Sequence, residues 1–142
     1  MKARITKKKK PAHHKPELET YETSDGTLVY VGKNNKQNDM LTVRTAKKND
    51  LWFHVQKMPG SHVIVKAENR QVPENTLLEA ALLAAYYSKG KYSTNVAVDY
   101  TERKNVKKPK DAKAGMVIYE NFKTIFVTPA KEKIDKLKMV EE

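Results

Sequence analysis

Residues 50 to 65 read Asp-Leu-Trp-Phe-His-Val-Gln-Lys-Met-Pro-Gly-Ser-His-Val-Ile-Val, and their period of two decides the fold. Successive side chains of an extended chain point to opposite faces, so Leu51, Phe53 and Val55 share one face and Trp52, His54 and Gln56 the other. Met58-Pro59-Gly60 supplies a turn, and the returning strand sets His62, Ile64 and Lys66 against Ser61, Val63 and Val65. One face of this hairpin is apolar and demands a cover. The other carries two histidines and the single tryptophan of the chain.

Working outward, Tyr21 to Lys33 reads as a second hairpin, turning at Ser24-Asp25-Gly26 and returning through Leu28-Val29-Tyr30-Val31. From Asn35 the period changes, and residues 35–46 are predicted to form a short helix capped by Asn34 or Asn35, with a strand as the competing assignment. The clearest helix runs over about 74–88, opened by Pro73 and closed by Gly90. Leu77, Leu78, Ala81, Leu82, Ala84, Ala85 and Tyr86 leave it almost no polar surface, so it is expected to lie buried across a sheet. Further strands are predicted at 95–98, 116–119 and 124–127, joined by a lysine-rich loop over 103–113. The expected fold class is α+β: a mostly antiparallel sheet with one long buried helix and one short helix. Its core would join Leu51, Phe53, Val55, Val63 and Val65 to Leu78 and Leu82. Residues 131–142 have weak helical spacing through Ile134 and Leu137 and are expected to be a frayed tail.

The 142 residues suffice for one domain, and the absence of cysteine removes disulfide frameworks and thiolate metal sites. No apolar run approaches the roughly 20 residues that span a bilayer, so no membrane partner is expected. The formal charge is +11, and its distribution is uneven. Residues 1 to 15 hold seven Lys or Arg and no acid, whereas residues 131 to 142 hold four bases and four acids. A run such as Lys7 to Lys10 repels itself and buries nothing, so residues 1–16 are expected to form a basic, disordered arm that serves either as a solubilising linker or as a polyanion-binding segment.

Four constellations invite a chemical reading. Rings at Trp52, His54 and His62 on one sheet face would stack unpaired bases, or else be core with satisfied imidazoles. Arg103, Lys104, Lys107, Lys108, Lys110 and Lys113 lie in a loop stiffened by Pro109 and would follow a phosphate backbone, with Lys33 and the amides of Asn34, Asn35, Gln37 and Asn38 as further candidates for touching RNA. His54 and His62 with Asp50 or Asp99 fall short of a closed metal set. Asp99, Glu102 and Lys104 have the spacing of some metal-dependent nucleases, but that spacing arises easily in a chain with 32% charged residues. Without a Gly-rich phosphate loop or a nucleophile elbow, no catalytic residue, metal or cofactor is expected.

Several ordered motifs add to this reading: Trp52-Phe53-His54 with Pro59-Gly60-Ser61-His62-Val63, Val31-Gly32-Lys33-Asn34-Asn35 with Gln37-Asn38-Asp39, Ala84-Ala85-Tyr86-Tyr87-Ser88-Lys89, Val98-Asp99-Tyr100-Thr101, Val106-Lys107-Lys108-Pro109 and Phe126-Val127-Thr128-Pro129. In this order they resemble the NFACT-R domain, the RNA-binding module of the NFACT proteins. Asp111 and Ala114 depart from the pattern, which would have a glycine and a proline there. The resemblance spans 17–130 and implies an RNA-binding, non-catalytic domain of a ribosome-associated quality control factor. Its partners would be tRNA and the large ribosomal subunit, and its task would be to support C-terminal tailing of stalled chains in the cytoplasm. It further implies a parent chain with an NFACT-N domain and a coiled coil, of which 1–16 would be the linker remnant. The same family in Gram-positive bacteria is also described as fibronectin- or fibrinogen-binding surface adhesins, which is the alternative reading.

The charge distribution leads to a direct test. Deleting residues 1–15 should flatten the dependence of log K on log salt for a single-stranded polyanion, by about 0.7 for each phosphate that the arm neutralises. An unchanged slope would assign the binding to the folded part alone.

Overall fold

The computed structural model describes residues 18–140; the expected basic arm lies outside the described residues. Among those described, the elements run β1 (Glu19–Glu22), β2 (Leu28–Val31), α1 (Asn35–Asp39), a π-helical continuation (Met40–Thr45), β3 (Leu51–Val55), β4 (Val63–Val65), α2 (Glu74–Tyr86), β5 (Val96–Glu102), a 3-10 turn (Arg103–Asn105), β6 (Val106–Lys107), β7 (Ile118–Tyr119), β8 (Lys123–Val127), α3 (Lys131–Asp135) and β9 (Lys138–Val140). Seven strands form one antiparallel sheet in the order β8-β5-β3-β4-β2-β1-β9, and β6 pairs with β7 separately. The class is α+β and mostly sheet, as the alternating hydrophobicity predicts.

The central hairpin sets Phe53 opposite Val63 and Leu51 opposite Val65. Phe53, Val55, Val63 and Val65 are buried with Val29, Val31 and Val98 beneath α2. Helix α2 presents its alanines to this surface: Ala80, Ala81, Ala84 and Ala85 are buried, with Leu83 wedged among them. Small side chains let the helix backbone approach the sheet. The expected core included Leu78, which is instead 38% exposed, while Leu82 is only half-buried. The cause is composition, since a helix apolar on nearly every side offers no moment to orient it.

The tail also differs from expectation. Instead of fraying, residues 131–140 form α3 and β9, with Ile134 buried in the main core and β9 pairing with β1 at the sheet edge. Earlier in the chain, Asn34 is the N-cap of α1, its side chain accepting the Gln37 N–H at 2.9 Å. The helix then widens by one residue, so that the Ala46 N–H bonds the Leu41 carbonyl.

A second core covers the other face of the sheet, joining Leu41, Trp52, Ile64 and Val106 with Tyr30, Val117 and Tyr119 around them. The sheet is therefore a middle layer at its centre. The loop after β6 carries Asp111 at φ 65°, in the left-handed region that favours glycine; an aspartate tolerates it.

The packing separates two kinds of leucine. Phe53→Ala and Leu83→Ala should each cost about 2 to 5 kcal/mol by urea midpoint, the range for truncating large buried side chains. Leu78→Ala should stay below about 1 kcal/mol, and a larger loss there would reverse the assignment of the helix faces.

Candidate nucleic-acid interface

The Pro59-Gly60-Ser61-His62 segment is a junction where three elements meet. Gly60 lies so close to its neighbours that a Cβ would sit 2.9 Å from both Ser88 Cβ and Val55 Cγ2. On either side of it, the Lys89 N–H bonds the Pro59 carbonyl and the Ser61 N–H bonds the Tyr87 carbonyl, tying the end of α2 to the hairpin. The next peptide reaches α1: Asn38 Oδ1 accepts the His62 N–H at 3.0 Å. Gly32 makes room for that amide, since a Cβ there would stand 2.1 Å from Asn38 Oδ1.

His62 is 2% exposed. Its Nδ1 accepts from the Thr42 hydroxyl at 2.7 Å and its Nε2–H donates to the Gly115 carbonyl at 3.2 Å, so the ring is neutral with both nitrogens engaged. Burial pushes its pKa down to about 3, and the neighbouring His54 adds to the effect. Asp39 holds the other side of Gly115, accepting its N–H at 3.2 Å and the Lys108 ammonium at 2.8 Å. That hydrogen bond from Lys108 keeps the Asp39 carboxyl below the usual range. Histidine and aspartate thus clamp the lysine loop onto α1.

The sheet face is therefore not an open stacking platform. Trp52 is 1% exposed beneath the loop, and His62 is a structural pin, so neither ring stands free to stack a base on a bare sheet face. His54 is half-buried, lies parallel to Trp52 within 6° at 5.8 Å between centroids, and is pushed toward the neutral form by burial. Arg103 is also spoken for, donating from Nε to the Thr42 carbonyl and from Nη1 to the Val106 carbonyl at 2.9 Å. Lys104 pairs with Glu102 at 3.3 Å and Lys108 with Asp39, while Lys107, Lys110 and Lys113 are exposed.

The nuclease arrangement does not assemble. Asp99 is buried and accepts from Gln56, Tyr119 and Thr124 at 2.9, 2.6 and 2.8 Å, and Glu102, three residues along the strand, faces the opposite way. Among the described residues no three His, Asp or Glu side chains converge to hold an ion.

Two concavities flank the Pro59–Gly60 turn, and they share Asn35 and Asn38 as well as the turn itself. The first is a groove of about 460 Å³ rimmed by Lys33, Lys89 and Lys91, floored by Tyr86, Tyr87 and Ser88, with no carboxylate among its lining residues. Lys33 Nζ lies 4.7 Å from the Tyr87 ring centroid and pairs with Glu19 at 2.7 Å. Lys91 lies 4.5 Å from the Tyr86 ring and 5.5 Å from the exposed Tyr92 ring. Of these cations only Lys33 is singled out by the sequence reading. The alternation of tyrosine and lysine from Tyr86 to Tyr92, just past the end of α2, is the signal that points here. The second concavity, about 350 Å³, is walled by Trp52, His54, His62 and Tyr119.

The buried imidazole makes stability depend on pH. Its folded pKa lies below the unfolded value, so the unfolded chain binds more protons between about pH 6.5 and 3. Stability present above pH 6.5 is therefore lost on acidification through that window, at up to about 1.4 kcal/mol per pH unit. His54, shifted the same way, adds to it. Urea midpoints between pH 6.5 and 4.5 should fall less steeply in His62→Gln than in the parent, and equal slopes would show that His62 is not buried as the neutral form.

Comparison with known proteins agrees with this architecture. The family model described as NFACT protein RNA binding domain matches residues 18–121. The Rqc2 homolog RqcH of Bacillus subtilis is 49% identical over 132 residues, covering 93% of this chain and 22% of the relative, and that of Streptococcus suis is 44% identical over 89% of this chain and 23% of the relative. Coiled-coil domain-containing protein 25 of Bos taurus is 27% identical over 80% of this chain and 57% of its own length. A solved structure, the C-terminal part of the fibronectin/fibrinogen-binding protein from Streptococcus suis, superposes with a TM-score of 0.83 at 44% identity, covering 91% of this chain and 52% of that one. The chain spans less than a quarter of the RqcH relatives, and over that span, with its sheet, covering loop and junction in place, it belongs to the NFACT protein RNA binding domain family.

Proposed function

We propose that this domain binds RNA through the lysine-rimmed groove beside the Pro59–Gly60 turn, without catalysing a reaction itself. The observation that carries this reading is the combination within one concavity of Lys33, Lys89 and Lys91, tyrosine rings and carboxamides, with no acid among the lining residues. Lysines neutralise phosphates, and rings and amides engage bases that have left a helix. Lys107, Lys110 and Lys113, exposed on the clamped loop across α1, would extend the phosphate track. Holding that loop against the sheet lowers the ordering cost of using its cations.

The RqcH relatives frame the larger task. In that setting the domain serves a cytoplasmic ribosome-associated quality control factor, binding tRNA and large-subunit RNA while a stalled chain receives its C-terminal tail, with an NFACT-N domain and a coiled coil elsewhere in the parent chain. The name of the Streptococcus suis structure supplies a second reading, adhesion to fibronectin or fibrinogen. A basic groove serves polyanions better than it serves a folded glycoprotein surface.

Titrating labelled tRNA and large-subunit RNA fragments by fluorescence anisotropy separates the two. Lys89→Ala with Lys91→Ala should weaken RNA binding and lower the magnitude of the salt slope by about 1.4, equivalent to two single-strand phosphates, with Lys107→Ala and Lys110→Ala having a smaller effect. Unchanged slopes in the groove variant would move the RNA elsewhere, and saturable fibronectin binding without RNA binding would favour the adhesin.

A further inference from the structure

We infer that the cavity walled by Trp52, His54, His62 and Tyr119 receives a single unstacked nucleobase of RNA lying in the neighbouring groove, an inference that rests on the RNA-binding reading. At about 350 Å³ it is of ligand-site size, and it adjoins the groove, with Asn35, Asn38, Pro59 and Gly60 lining both. A strand whose phosphates cross Lys33, Lys89 and Lys91 thus passes the cavity's mouth.

Its walls suit a base. The Tyr119 ring lies 4.7 Å from that of Trp52, tilted by 51°, and Met58 and Met116 add polarizable thioethers. Both histidines are held toward the neutral form, so an entering base meets rings and no charge. Packing against the partly exposed rings of His54 and Tyr119, which Trp52 and His62 back from beneath, replaces the stacking that the base gives up on leaving its strand.

The decisive group is Asn38. The residue is 5% exposed, and its Oδ1 is committed to the His62 N–H, which fixes the orientation of the carboxamide. Its Nδ2 has no hydrogen-bond partner among the described residues, although the side chain borders the cavity. A buried, oriented amide with an unused donor selects an acceptor. Asn35, on the same rim, has no side-chain hydrogen bond among the described residues either. This donor excess favours a base edge rich in acceptors, such as guanine O6 and N7 or a uracil carbonyl.

The test uses the 142-residue protein and two variants. Met116, 60% exposed at the mouth, can become tryptophan without disturbing the core, so Met116→Trp blocks entry. Asn38→Asp keeps an oxygen for the His62 N–H and replaces the unused donor by an acceptor. Neutral nucleosides titrated against isotope-labelled protein should shift the Asn38 side-chain amide and Trp52 indole nitrogen resonances, guanosine and uridine more than cytidine, and Asn38→Asp should reverse that order. Met116→Trp should weaken RNA with unpaired nucleotides about tenfold or more, the scale of a single base–ring stack, with the salt slope intact. If the parent binds RNA while nucleosides and both variants leave every reading unchanged, the cavity proposal is overturned and RNA binding stands. If the parent binds no RNA at all, the RNA reading has failed, and with it the source of the base.

Discussion

The neutral imidazole of His62 is the constraint on which the second half of the structure depends. With Thr42 on one nitrogen and Gly115 on the other, it joins the helical segment to the loop that covers the sheet's second face. Protonation would put a charge in this buried place, which burial disfavours. Removing the ring would release Gly115 from one side of its clamp, leaving its N–H on Asp39. Trp52 lies buried in the core that the loop residues Val106, Val117 and Tyr119 help to close.

The Pro59-Gly60-Ser61-His62 run consequently has a job different from the one its composition advertises. Its glycine permits a close backbone approach, its serine and histidine peptides receive α2 and α1, and its imidazole pins a loop. The groove and the cavity lie where these three elements converge. Lys33, Lys89 and Lys91 border this junction of elements.

Whether a feature is legible in the sequence depends on how many elements set it. The alternation of Leu51, Phe53 and Val55 determines a face by itself, and the Ala84–Lys89 segment marks the end of a helix. The orientation of α2 is not local: leucines at 77, 78, 82 and 83 surround the helix, and only the closeness demanded by the sheet selects the alanine side. The cover of the second face is a loop with no period, built from Leu41, Val106, Val117 and Tyr119, far apart in sequence. The groove escapes a linear reading for the same reason, since Lys33 meets Lys89 and Lys91 only after the hairpin folds. Balanced charge over 131–142 suggests a solvated tail, yet Ile134 is enough to seat α3.

The pairing of β9 with β1 bears on where this domain can be trimmed. The family match ends at residue 121, but the strand guarding one flank of the sheet is Lys138–Val140. A fragment trimmed to the family boundary would lose β8 as well, leaving β1 and β5 with unpaired ladders of N–H and C=O groups. Open ladders of this kind template self-association. Solubility of the isolated module is thus a property of the strands beyond that boundary, which contribute nothing to the groove.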